Sequence, residues 1–153
     1  MPKVGFEFRE TMSGSYTLIG QPGVERPLRF SLRVHAEDAL AHARDHVARA
    51  SGTLEMDGFA DEVAVAGTLV LTPLTKRVIR YELTFVANDG LPYKLQGQKD
   101  IRFSDLVGSL TTLPAQIVDA AGKPVAKAQV TFDVRADLLK FIASWKPLLP
   151  MHA

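Results

Sequence analysis

Glu10 and Lys99 are the residues of this sequence best placed to do chemistry, because each interrupts a strand face that is otherwise apolar or aromatic. Glu10 shares one face with Phe6, Phe8, Met12, Tyr16 and Leu18; Lys99 shares one with Leu91, Tyr93, Leu95 and Ile101. A charge aimed at an apolar interior must be paired, neutralised or hydrated, so both are expected at a cavity or its mouth, near one another. The competing reading is that strand ends emerge into solvent, or that a bulge at Gly14 or Gly97 reverses the phase and turns both charges outward. Tyr81 lands opposite Gly97, where the missing side chain leaves space for the tyrosine ring or for a ligand. Glu10 combined with Tyr81 or Tyr93 would also have the composition of an acid-base site. The expected ligand-binding set is Glu10, Met12, Tyr81, Tyr93 and Lys99.

Other chemistry is weakly represented. His35, His42 and His46 fall within 12 residues beside Asp38 and Asp45, and an i, i+4 histidine pair on a helix could hold a divalent metal. The glutamate that follows the first histidine in zinc proteases is missing, so a solvated face is expected, with no metal and no other cofactor. There is no nucleophile elbow, phosphate-cradling glycine loop or dinucleotide fingerprint, and Ser13, Ser15 and Ser104 have no base partner visible in the sequence.

Composition narrows the class further. A chain of 153 residues is expected to form one domain, 1–153, burying roughly 68–70% of its unfolded surface around a single core. The absence of cysteine removes disulfides, thiolate metal sites and cysteine nucleophiles, and fits a cytoplasmic location. The opening MPKVGFEFRE reads as neither a secretory signal nor a membrane span. With 18 basic and 17 acidic side chains, a net charge of +1 supplies no electrostatic reason to expect a nucleic acid or an anionic membrane as partner.

The elements that must position these residues are mostly strands. Between Arg77 and Ile101, Ile79, Tyr81, Leu83 and Phe85 alternate with Arg80, Glu82 and Thr84, and a second alternating arm follows Gly90. A two-residue Asp89-Gly90 turn would set Phe85 against Lys94, out of phase. A three-residue loop, Asn88-Asp89-Gly90 with glycine in the left-handed position, instead pairs Phe85 with Tyr93, Leu83 with Leu95, Tyr81 with Gly97 and Ile79 with Lys99. Further strands are expected over Val4 to Ile19, from Leu28 through Val34, around Gly52 to Met56 and over Val63 to Leu71. Thr111 to Val118 and Val125 to Arg135 should pair across a four-residue loop, Ala120 to Lys123, with Leu113 facing Val130. A short helix is expected near 37–47. A C-terminal helix near 137–146 carries Leu138, Phe141, Ile142 and Trp145 at i, i+3, i+4 and i+7. About eight strands in hairpin order make a mostly β, antiparallel up-and-down meander, barrel-like in the lipocalin manner, with a two-sheet sandwich as the alternative.

The runs FRETMSGSY (8–16) and YELTFVANDGLPYKLQGQKDI (81–101), the TTL at 111–113 and the closing FDVRADLLKFIASW together resemble a small bacterial domain family. In that family the domain stands beside a cholesterol-oxidase-like GMC oxidoreductase domain and an α/β-hydrolase domain. The fitting positions are Glu10, Met12, Gly14, Gly90, Tyr93, Leu95, Gly97, Lys99, Thr111 to Leu113 and the segment Leu138 to Phe141. The resemblance covers the small domain alone, and neither enzyme domain is expected within these 153 residues. The resemblance implies an association with steroid or lipid metabolism.

The expected function is a non-catalytic binding or accessory module for an apolar or amphipathic, steroid- or lipid-like small molecule, or one that docks onto an enzyme handling such a molecule. Apolar walls with a few convergent polar groups are what such pockets need. A protein-interaction module, and a small isomerase or hydrolase acting through Glu10, are the alternatives.

Overall fold

A computed structural model describes residues 6–36, 46–72, 78–100, 104 and 111–132. Eight strands carry the fold: β1 (Phe6–Leu18), β2 (Arg26–Ala36), β3 (His46–Met56), β4 (Ala60–Thr72), β5 (Val78–Val86), β6 (Pro92–Asp100), β7 (Thr112–Asp119) and β8 (Pro124–Phe132). Each is antiparallel to the next, and β8 returns to β1 through pairs such as Gly14 with Val130 and Tyr16 with Ala128, closing a barrel. Closure leaves no free sheet edge and so selects the barrel over the sandwich.

The hairpin of β5 and β6 has the expected register. Ile79 faces Lys99, Tyr81 faces Gly97, Leu83 faces Leu95 and Phe85 faces Tyr93. Gly90 sits at φ 79°, and its N–H donates to the Ala87 carbonyl, so the loop is Asn88-Asp89-Gly90. The β7–β8 hairpin differs in detail. Its loop has three residues, Ala120 to Gly122, with Gly122 at φ 83°, not the four expected. A one-residue irregularity between Ile117 and Val118 makes up the difference, so Leu113 still faces Val130. Both Ile117 and Val118 are buried in consequence.

The expected helix near 37–47 is corrected at its C-terminal end. His46 and Val47 open β3, in which Ala48 and Ala50 point inward while Val47 and Arg49 are exposed. Alanine is a strong helix former, and here cross-strand pairing to Leu69 and Gly67 of β4 overrides that propensity. Residues 37–45 and the helix expected near 137–146 lie outside the described residues. No helix among the described residues is long and apolar enough to cross a membrane.

A bulge corrects phase between β3 and β4. The pairing slips by one residue between Leu54–Val63 and Met56–Ala60, and Glu62 takes φ 46°. Ala60 can therefore point inward at an even position while Val65 and Leu69 do so at odd ones. The inward side chains form one continuous core that includes Met12, Phe30, Leu54, Leu69, Leu83, Leu95 and Val130. Each such large side chain adds about 1.5–3 kcal/mol relative to exposure. At the end closed by short hairpins, Phe59 packs edge-on against Tyr16, Phe85 and Tyr93. The Tyr16 hydroxyl donates to the Asp57 carbonyl, and the Asn88 N–H donates to the Phe59 carbonyl at 2.9 Å. The turns at this end are thus tied to one another.

Candidate functional site: a buried carboxylate, phenol and ammonium

Glu10, Tyr81 and Lys99 meet inside the barrel. Glu10 projects from β1 at the position paired with Leu32, Tyr81 from β5 between Leu69 and Gly97, and Lys99 from the end of β6 opposite Ile79. Exposure is 1% or less for all three, so the alternation that turned the charges inward holds through the last turn of pairing. The Tyr81 hydroxyl donates to Glu10 Oε1 at 2.5 Å. Lys99 Nζ lies 3.6 Å from Glu10 Oε2 and 5.1 Å from the centre of the Tyr81 ring, so one ammonium faces both a carboxylate and a π-face. The 3.6 Å separation makes an ion pair but exceeds hydrogen-bond distance, and Glu10 Oε2 accepts no hydrogen bond among the described residues.

The electrostatics follow from burial. Loss of solvent pushes the Tyr81 phenol well above its ordinary range, and the neighbouring Glu10 charge pushes in the same direction. Tyr81 therefore remains a proton donor at neutral pH. Burial lowers the Lys99 ammonium, and the Glu10 charge opposes that shift.

Met12, two residues along β1 from Glu10, is fully buried in the same core. Tyr93 is elsewhere. Its hydroxyl donates to Asp89 Oδ2 at 2.7 Å in the β5–β6 turn, which pushes the phenol up to about 12, and its ring stacks on Phe85 at the hairpin end. The space over Gly97 is taken by a neighbouring strand. A Cβ placed there would meet Leu113 Cδ1 at 2.8 Å, so Leu113 fills it. His35 is exposed on β2 beside Arg49, and His46 belongs to a strand, so the helical histidine pair does not form; His42 lies outside the described residues.

Neither a protein-family model nor a curated protein nor a solved structure matches this chain.

The barrel wall changes character near the end of β6. The β6–β7 ladder runs from Tyr93–Asp119 to Gly97–Ala115, and among the described residues it stops there, although β6 continues through Gln98 and Lys99. The next residue of β7 is Pro114, which has no N–H to offer a ladder. Outside this stretch lies an open depression of about 1090 Å³, bordered by Arg80, Gln96, Gln98 and Gln129, with Gly97 and Tyr81 contributing to its lining. Pro114 in a strand of alternating residues is the sequence signal for this interruption.

Proposed function

We propose that this barrel binds an amphipathic small molecule, steroid- or lipid-like in size, whose polar group meets Glu10, Tyr81 and Lys99 while its apolar body lies among the aliphatic side chains. The observation that carries this reading is the convergence of a carboxylate, a phenol and an ammonium at 1% exposure or less within a core dominated by apolar side chains. Replacing a buried ion pair by well-packed apolar residues is often neutral or stabilising by about 1–4 kcal/mol, so stability alone is a weak reason to keep such a group. Recognition of a polar headgroup is a sufficient one, because few and convergent polar atoms orient a ligand in an apolar site. Glu10 Oε2 supplies an acceptor not used in a hydrogen bond among the described residues, and Tyr81 holds the other oxygen in place. The steroid or lipid class rests on the resemblance of the Glu10, Gly97 and Lys99 segments to the domain that accompanies cholesterol-oxidase-like proteins.

Native mass spectrometry of freshly purified protein tests the reading. A co-purifying lipid-sized mass, or uptake of added decanol or cholesterol that is lost in Glu10→Leu/Lys99→Met, is the expected result. A folded protein that takes up neither, with the double variant indistinguishable from wild type, would overturn it.

A further inference from the structure

We infer that Lys99 attaches covalently to a carbonyl-bearing ligand, forming an imine between Nζ and an apolar aldehyde or ketone inside the barrel. The inference rests on the binding reading above and specifies both the chemistry of the ligand and the atom that holds it.

Three features of the site support it. Imine formation needs an amine, a group to take its protons and a group to assist departure of water, and the site sets an ammonium 3.6 Å from a carboxylate whose second oxygen accepts a phenolic O–H. The charge pattern also survives the reaction. A protonated imine carries the same positive charge as the ammonium it replaces, so Glu10 keeps its counter-ion while the apolar substituent enters an apolar core. Burial, finally, lowers the ammonium and so enlarges the fraction of neutral amine, the form that attacks a carbonyl.

The step balances without an oxidant or reductant. Glu10 Oε2 takes a proton from Nζ, and the amine adds to the carbonyl carbon to give a carbinolamine. The nitrogen lone pair then expels the hydroxyl, which leaves as water with the proton returned through Glu10, and a C=N bond replaces C=O. Lys99 lies two residues beyond the last β6–β7 pair among the described residues.

Incubating the full chain with decanal and cyanoborohydride, followed by intact-mass measurement and peptide mapping, tests the inference. One decyl group per chain, mapped to Lys99 ahead of the exposed Lys94, Lys123 and Lys127, is expected. The adduct should be lost in Lys99→Met and slowed in Glu10→Gln. Mapping on the wild type does not depend on either variant folding. Labelling confined to exposed lysines, with decanol still bound in native spectra, overturns covalent attachment and leaves the binding reading standing. Labelling confined to exposed lysines with no bound decanol removes both.

Discussion

The Tyr81 hydroxyl donates to Glu10 Oε1 across the inside of the barrel, joining β5 to β1, two strands that share no ladder and residues 71 positions apart. This bond and the Lys99 ion pair tie β1 to β5 and β6 through side chains alone. What they contribute to stability and to binding can be separated by experiment.

Tyr81→Phe removes the donor and leaves Glu10 Oε1 buried without its partner. We expect a loss of about 1–3 kcal/mol in urea unfolding. Lys94→Met, which breaks the exposed pair with Glu82 at 2.9 Å, should cost no more than about 1 kcal/mol. Equal losses in the two variants would contradict the buried bond.

Lys99→Met alone strands the Glu10 carboxylate, and Glu10→Leu alone strands the ammonium. Each single change should cost about 3–5 kcal/mol, and the double change should recover most of that loss. Additive losses would show that the two groups do not act as a pair.

Stability should depend on pH above neutrality in two opposing ways. Lys99 is lowered in the folded state, so between its folded value and 10.5 the unfolded chain binds more protons, and this group makes stability rise with pH. Tyr81 is raised, so above 10.0 the folded chain holds more protons and stability falls with pH. Tyr16 and Tyr93 are raised too and share in that fall. Urea midpoints measured from pH 7 to 11 should lose the rising component in Lys99→Met. In Tyr81→Phe only part of the alkaline decline should disappear.

Gly67 lies at an inward position of β4, and a Cβ there would come within 2.0 Å of the Glu82 carbonyl oxygen on β5. Backbone cannot yield as a side-chain tip can, so Gly67→Ala should cost about 1–3 kcal/mol or more. Gly20→Ala, at a site with open space and ordinary φ, should lie within about 0.5 kcal/mol of wild type. Thermal or urea unfolding of both variants checks the contrast.

Much of the barrel was readable from local pattern. The β5–β6 register followed from two alternating arms and one glycine, because a hairpin's phase depends only on contiguous residues and on the left-handed conformation that Gly90 accepts. That register directed Lys99 inward, and the face shared with Met12 and Tyr16 directed Glu10 inward. The start of β3 was not readable, since alternating alanines in RASGT and ARDHVARA carry more helix propensity than strand signal. The bulge at Glu62 was hidden as well, because nothing in ADEV marks which residue is extra.

The sequence by itself determined which side chains the β5–β6 hairpin and β1 turn to the inner face, and with them the inward direction of Glu10, Tyr81 and Lys99. Tertiary structure alone decided that the three meet and that Tyr93 does not join them. It also decided that Leu113 of β7 packs into the space over Gly97. The reason is physical: hairpin phase is set by neighbours in the chain, whereas contact between β1, β5 and β6 depends on twist and stagger accumulated over eight strands before β8 closes on β1.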